Sequence, residues 1–337
     1  MLETIWFVLW AVLWAVYFIL DGFDLGAGCL LPVLSKDDKD RRYIYNATGP
    51  FWDGNEVWLI TAGGVTFAAF PGNYAVMFSA LYTPLLMILF ALIVRGVAFE
   101  FRRHIDDPRW KKLWDICMFA GSFVAAFLFG VAFAGIFAGI PIDEAGHFQG
   151  SIINLLTPYN ILGGALFVML FMLHGSIWLA IKTNGELKNR ASNFAKKIWP
   201  FVTLSGLVFI ISTGFATNVF NYYMSYPVLF VIPLMLLFGF MLIWFFIEIA
   251  SWWKAWFASG LVIGLTTFFG LAGIFPRLLP SSINDQYSMT IFNSASSPLT
   301  LKIMLVVVIV FIPIVIGYQT WVYYLFKDKV TEKDLIY

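Results

Sequence analysis

The chain has 337 residues, of which 61% are hydrophobic and only 12% are charged. A soluble globular protein averages about 25% charged residues, and so few charges could not cover the surface of a soluble protein of this length. The composition therefore excludes a soluble enzyme or a nucleic-acid-binding protein, and 21 basic against 20 acidic residues imply no polyanionic partner. Two cysteines, Cys29 and Cys117, provide no disulfide framework.

Long apolar runs recur along the whole chain and predict an all-α polytopic membrane protein. A bilayer core of about 30 Å needs about 20 apolar residues per helix, and the runs are far longer than a barrel strand. The segment before Cys29 has no Lys or Arg and carries Glu3, so we expect the first helix to be retained rather than cleaved as a signal. We predict nine transmembrane helices, at residues 4–34, 52–70, 74–100, 113–140, 159–181, 199–219, 226–250, 256–276 and 299–326.

The basic residues predict the orientation of these helices. All but three of the 21 Lys and Arg residues follow an odd-numbered predicted helix, in a loop or in the C-terminal tail. The three others are Arg95 within a span, Arg277 in an opposite loop and Lys302 at the start of helix nine. The positive-inside rule then predicts a multi-pass protein of the bacterial cell membrane with its N-terminus outside and its C-terminus in the cytoplasm.

A weak internal repeat divides the single integral membrane domain that we predict for residues 1–337. Residues 18–22 (FILDG) resemble residues 171–175 (FMLHG), and each segment is followed by a basic loop and then by Pro-Phe. We predict two parallel four-helix repeats, residues 1–150 and 151–280, with a ninth helix and cytoplasmic tail at 281–337. The alternative is chance similarity, because apolar segments share residues easily.

A few ionisable residues lie within the predicted spans, where each is costly and is a functional candidate. Asp21 and Asp24 come late in helix one, Asp53 and Glu56 come early in helix two, and Arg95 comes late in helix three. Because these helices alternate in direction, all five residues fall at similar depth in the predicted cytoplasmic half. We interpret them as a proton-conducting site, because carboxylates of low dielectric surroundings can exchange protons. The alternative is a set of interhelical salt bridges.

The chain offers little for a haem or a metal ion. Of its three histidines only His174 lies within a span, and a bis-histidine haem needs two facing ligands. We therefore predict no metal site and no catalytic residue in this chain, and an interhelical hydrogen bond for His174, with a single axial haem ligand as the alternative. Trp6, Trp10 and Trp14 recur every four residues, and we interpret them as a stripe that faces lipid or another subunit.

Three linked motifs resemble subunit II of cytochrome bd quinol oxidase. They are residues 21–26 (DGFDLG), residues 49–59 (GPFWDGNEVWL) with their continuation to residue 71, and residues 92–102 (LIVRGVAFEFR). Residues 173–175 (LHG) and 182–186 (KTNGE) in the second half also resemble this family.

The resemblance implies one of two large nine-helix subunits of a bacterial respiratory oxidase that oxidises quinol, reduces oxygen to water and generates a proton-motive force without pumping. Subunit I would carry two haems b and one haem d, this chain would ligate none, and a small single-helix subunit often joins the complex. The family role implies that Asp53, Asp21 and Asp24 bring cytoplasmic protons toward the oxygen-reducing haem, whereas Glu56 is less firmly implied because family members can carry Gln there. Trp52 and Arg95 would lie on the subunit I face near the haems, and a structural quinone is a further option.

Three other classes of function remain open at this point, and one of them is a subunit that itself carries a haem. A purely structural assembly subunit would use the buried charges only to hold subunit I. A secondary transporter would also combine parallel repeats with buried charges, although transporters usually place such charges near the bilayer midplane and use broken helices.

Overall fold

The computed structural model describes residues 1–335, with Ile152 described by its backbone alone. Its α-helices are α1 Leu2–Leu34, α2 Asp38–Thr48, α3 Trp52–Ala69, α4 Pro71–Ala80, α5 Tyr82–Phe101, α6 Pro108–Ala138, α7 Pro158–Lys182, α8 Gly185–Ala216, α9 Val219–Ser225, α10 Val231–Glu248, α11 Trp252–Ile274 and α12 Pro298–Leu325. Short 3-10 helices span Ile152–Leu155, Pro227–Phe230, Asp285–Tyr287 and Glu332–Asp334. A two-stranded antiparallel sheet pairs β1 Arg277–Leu279 with β2 Met289–Thr290. The all-α polytopic membrane fold is confirmed.

Three of the long helices start at the same local sequence signal. A polar residue whose side chain accepts a backbone N–H precedes a proline in the first helical position, at Asp107 before α6, at Thr157 before α7 and at Ser297 before α12. The polar side chain satisfies an otherwise unpaired amide, and the proline has no amide to satisfy.

Eight helices of the described chain are long and apolar enough to cross a bilayer, and they include every predicted span except residues 52–70. That segment forms α3, which has 18 residues but opens on a polar first turn. The count of nine membrane crossings therefore stays a prediction. The predicted third span is divided, because α4 ends at Ala80 and α5 begins at Tyr82. Pro84 lies in the first turn of α5, the position in which a helix tolerates proline.

Helices α1 and α7 pack against each other at the centre of the molecule. A Cβ atom built on Gly26 would lie 1.8 Å from the carbonyl oxygen of Phe171, and one built on Gly175 would lie 2.5 Å from the amide nitrogen of Ala27. Only glycine allows two helix backbones to approach so closely. The two segments with similar sequences, residues 18–22 and 171–175, thus belong to neighbouring helices, while the repeat itself stays a prediction.

The tryptophans of α1 belong to the protein interior. Trp6, Trp10 and Trp14 are each at most 7% exposed. The indole N–H of Trp6 donates to the carbonyl of Leu301 in α12 over 3.1 Å, and that of Trp10 donates to the hydroxyl of Thr66 in α3 over 2.8 Å. The expectation that this stripe faces lipid or another subunit is wrong, because the stripe is the face on which α1 receives its neighbouring helices.

One end of the helix bundle collects the basic loops, and we call it the basic end. There Arg190 of α8 donates to the carbonyl of Leu34 at the end of α1 over 2.9 Å. The side chain of Lys182, at the end of α7, donates to the carbonyls of Phe326 and Asp328 beyond α12. Loops that the sequence predicts on one side of the membrane therefore lie together at one end of the fold.

Candidate functional site

The centre of the candidate site is Arg95, which is fully buried on α5. Its guanidinium lies 3.3 Å from a carboxylate oxygen of Asp21 on α1 and donates to Glu56 on α3 over 2.7 Å. The side chain of Asp21 is fully buried, and that of Glu56 is 21% exposed. Three helices that are separate in sequence thus bring one cation and two carboxylates together, as the similar depths of these residues predict.

Close helix contact keeps Arg95 away from lipid. A Cβ atom built on Gly121 of α6 would lie 2.5 Å from the carbonyl oxygen of Ala91 and 2.9 Å from the Cβ of Arg95. The absence of a side chain at Gly121 therefore lets α6 cover the backbone of α5 beside the arginine. The guanidinium also lies 5.9 Å from the ring centre of Phe99, one turn further along α5.

Asp24 is also buried, and it is held by Asn55 rather than by a cation. The amide nitrogen of Asn55 donates to a carboxylate oxygen of Asp24 over 2.7 Å and to the carbonyl of Leu20 over 3.0 Å. The amide oxygen of Asn55 accepts from the hydroxyl of Tyr323 on α12 over 3.0 Å. The whole amide is therefore satisfied, and its three partners fix which way it faces.

Helix α12 contacts the first turns of α3 a second time through Gln319. The side-chain amide of Gln319 donates to the carbonyl of Gly54 over 2.9 Å and accepts from the indole of Trp58 over 2.8 Å. Sequence reasoning assigns no role to Asn55, Gln319 or Tyr323, and the only signal for the last two is that they are polar residues in the most apolar of the candidate spans.

Two other predicted site residues lie at the edge of this cluster. Trp52 stacks on Phe99 with ring centres 5.2 Å apart and planes 4° apart, and a Cβ atom on Gly96 would lie 3.1 Å from the Trp52 ring. Asp53 is exposed on α3, one turn before Glu56, and does not join the buried contacts around Arg95. The structure therefore separates Asp53 from the carboxylates that it groups around Arg95.

The buried charges form an unequal set. Asp21, Asp24 and Glu56 provide three carboxylates within a region that holds one guanidinium, Arg95. Neither oxygen of Asp21 accepts a hydrogen bond, although the Arg95 guanidinium lies 3.3 Å from one of them, and one oxygen of Asp24 is also buried without a donor. A buried acceptor without a donor is costly, and a carboxyl group relieves that cost when it takes up a proton. Protonation of one of these carboxyl groups would remove a buried negative charge that lacks a cation of its own.

His174 is engaged between helices. One ring nitrogen lies 2.6 Å from the hydroxyl of Ser259 on α11, and the other lies 3.1 Å from the carbonyl of Ile19 on α1. The ring stacks on Trp256 with centres 5.2 Å apart. Both nitrogens thus have protein partners, as in the interhelical hydrogen bond that the sequence predicts. Among residues 1–335, no group of three or more His, Cys, Asp or Glu side chains is placed to hold a metal ion.

A second ionic network lies at the basic end. Arg102 is buried just beyond α5, donates to Asp115 over 2.6 Å and to Asp38 over 2.5 Å, and lies 5.2 Å from the ring centre of Tyr45. Burial raises the pKa of Asp38, but the hydrogen bond and the charge of Arg102 outweigh it and hold that pKa below its ordinary value. The sequence places Arg102 and Lys182 among the basic loop residues that set the topology, whereas the structure buries both side chains.

The fold and the site define a membrane-embedded helical subunit that buries one arginine and its carboxylate partners between its helices. The sequence profile of the family "Cytochrome bd terminal oxidase subunit II" matches residues 2–326. The chain belongs to this family and is a subunit of a quinol oxidase complex in the cell membrane, whose haems are carried by the partner subunit.

Full-length relatives agree with this assignment. The chain is 37% identical over 333 residues to cytochrome bd ubiquinol oxidase subunit 2 of Bacillus subtilis (strain 168), and the alignment covers 99% of this chain and 98% of that protein. It is 32% identical over 369 residues to cytochrome bd-I ubiquinol oxidase subunit 2 of Escherichia coli (strain K12), covering 99% and 97%. The solved bd oxidase of Geobacillus thermodenitrificans contains a chain that matches with a TM-score of 0.77 and 15% identity over 96% of this chain and 98% of that chain. At that identity the match supports the fold alone.

Proposed function

We propose that this subunit conducts protons from the cytoplasm toward the oxygen-reducing haem of subunit I, by way of Asp53, Glu56, Asp21 and Asp24. The complex would oxidise quinol and reduce oxygen to water. Protons for water would come from the cytoplasm and those of quinol would leave outside, so a proton-motive force would form without pumping. Within this proposal the basic end faces the cytoplasm and the N-terminus lies outside.

The observation that carries the proposal is the buried guanidinium of Arg95, which contacts the carboxylates of Asp21 and Glu56, while a third buried carboxylate, Asp24, is held by Asn55. Glu56 is part-exposed and contacts Arg95, which in turn lies beside the fully buried Asp21. Asp53 is exposed one turn before Glu56 on the same helix. These groups form a graded series from an exposed carboxylate to a buried one, as proton uptake from one side of the membrane requires.

The cofactors of the complex belong to subunit I in this proposal, as two haems b and one haem d. The two relatives above are named as ubiquinol oxidases, and a quinol of that kind is the proposed electron donor. Trp52 and Arg95 would lie on the side of the subunit near the haems. A small single-helix subunit would complete the assembly. A secondary transporter has no support now that the chain belongs to an oxidase family.

A structural quinone is part of the proposal because one groove suits its apolar chain. The groove has a volume of about 1170 Å³ and lies between α3, α4 and α5. Its walls are almost wholly apolar and include Phe67, Met77 and Leu89, and Gly63 and Gly64 of α3 leave it open. Solvent extraction of the purified complex, followed by mass spectrometry, should yield a quinone in a fixed ratio to the protein. A Gly64→Phe variant should lose it.

The test of the proton path uses Asp53→Asn in the complete complex reconstituted into liposomes. We expect slower oxygen reduction and slower charge separation, with haem spectra unchanged. Glu186→Gln is the matched control, because Glu186 is an exposed carboxylate at the start of α8 and lies outside the cluster. Unchanged turnover and unchanged charge separation in Asp53→Asn would sink the proposal.

The same experiment separates a second candidate, a purely structural subunit. Here the ion pairs of Arg95 would only join helices, and removing a carboxylate would release haems through faulty assembly. Loss of haem absorbance in parallel with activity would support that role, whereas slow turnover with full haem content supports proton conduction.

A further inference from the structure

We propose that an anionic phospholipid binds in a cavity at the basic end, between the end of α1, the start of α2 and the first turns of α6. The cavity has a volume of about 560 Å³. Its lining combines ionisable residues, which we call its polar side, with apolar residues, which we call its floor. The residues that carry the proposal are Arg41, Lys111, Lys112, Leu31, Ile116 and Phe119.

The polar side of the cavity carries an excess of positive charge. Its two acidic lining residues, Asp38 and Asp115, are both held by Arg102, which is buried behind them. Arg41 lies 3.5 Å from Asp115, and its side chain is 38% exposed. Because Asp38 and Asp115 already pair with Arg102, they neutralise only part of the positive charge of the exposed cations Arg41, Lys111 and Lys112.

Lys111 and Lys112 complete the positive rim. Lys111 contacts the fully solvated Asp106 over 2.6 Å and lies 3.8 Å from Asp38, while Lys112 is exposed. Counted together with Arg41 and Arg102, four cations stand against three carboxylates, namely Asp38, Asp106 and Asp115. The excess of one positive charge matches one phosphodiester group, which basic residues at a membrane surface attract.

The floor of the cavity favours a lipid over a free anion. Leu31 ends the apolar part of α1, and Ile116 is 54% exposed on α6. From Phe119 the rings of Phe123 and Phe127 follow along α6, with successive ring centres 5.9 and 6.1 Å apart. This apolar strip leads from the cavity toward the middle of the span, where an acyl chain would cover it. A free phosphate ion has no apolar surface to bury against these side chains.

The test measures which lipids stay with the detergent-purified complex, by quantitative mass spectrometry after exchange into mixed micelles of phosphatidylglycerol and phosphatidylcholine. We expect selective retention of phosphatidylglycerol. The double variant Arg41→Gln, Lys112→Gln should reduce this retention roughly fivefold for each cation removed. Lys197→Gln is the control, since Lys197 is an exposed lysine of α8 at the same end, and it should retain the lipid as the parent does.

Two further arms protect the result against misfolding and against a free anion. The variant Lys112→Arg keeps the charge and should retain phosphatidylglycerol, and all variants are compared at full haem absorbance. Phe119→Ala should lower retention of the lipid. Equal retention of phosphatidylcholine, equal loss in Lys197→Gln, or displacement of the lipid by millimolar inorganic phosphate would each overturn the proposal.

Discussion

The hydrogen bond between Tyr323 and Asn55 offers the sharpest test of how the cluster is positioned. The Tyr323→Phe substitution keeps the ring and removes only the hydroxyl that donates to the Asn55 amide oxygen over 3.0 Å. Asn55 is 1% exposed, so water cannot readily replace that donor. A buried acceptor left without a donor costs about 1–3 kcal/mol. The amide then gains by rotating away from Asp24, to which it now donates over 2.7 Å.

This cost converts directly into an expected loss of turnover. If proton transfer needs the native amide orientation, a penalty of about 1.4 kcal/mol lowers the rate about tenfold. We expect oxygen consumption at saturating quinol to fall about five- to a hundredfold, with unchanged haem spectra and a changed pH profile. Tyr324→Phe is the matched control on the same helix, because Tyr324 is 65% exposed. The reasoning is refuted if Tyr323→Phe behaves like Tyr324→Phe in both rate and pH profile.

Three other substitutions test the packing and the ionic contacts. Gly175→Ala should prevent stable assembly, seen as loss of the purified complex, because its Cβ would lie 2.5 Å from the backbone of α1 and helix cores resist overpacking. Arg102→Gln should lower the free energy of unfolding by about 1–3 kcal/mol, measured as a lower thermal midpoint. The ion pair between Arg102 and Asp38 stabilises the folded parent only while Asp38 is ionised, because the pKa of Asp38 is lowered in the folded state. The parent should therefore lose this stabilisation as the pH falls below about 4. Arg102→Gln should lose less stability over the same pH range. Lys182→Met should increase proteolysis of the C-terminal tail, with Lys188→Met as a control that leaves it unchanged.

Several parts of the site follow from sequence because depth in a membrane is a one-dimensional quantity. Counting residues from the ends of predicted helices places Asp21, Glu56 and Arg95 at one level, and the structure brings them into contact. The same argument cannot decide which residues of a level face each other. Asp53 and Glu56 are only three residues apart, yet one is exposed and the other contacts Arg95.

The residues that sequence reasoning missed are those whose partners lie far away in the chain. Tyr323 meets Asn55 across 268 residues, and neither side chain is charged at neutral pH, so neither is marked as strongly as a buried charge would be. Lys182 and Arg102 are charged, but each lies near the end of a helix, where a charge is usually solvated. The sequence therefore does not indicate that they are buried. The sequence does not distinguish an apolar helix face that contacts lipid from one that packs against another helix, and for this reason the prediction for the tryptophan stripe of α1 is wrong.

The attachment of α12 has a consequence for the order in which the chain assembles. Only 6% of its most apolar stretch is buried, and apolar packing discriminates weakly inside a bilayer. Hydrogen bonds attach it to the other helices. The indole of Trp6 donates to the carbonyl of Leu301 near one end, and the hydroxyl of Tyr323 donates to the amide oxygen of Asn55 further along. Beyond the other end, the ammonium group of Lys182 donates to the carbonyl of Phe326. All three come from helices made long before it. Helix α12 therefore docks onto helices that are already in place, and until it arrives the amide oxygen of Asn55 and the ammonium group of Lys182 lack these partners.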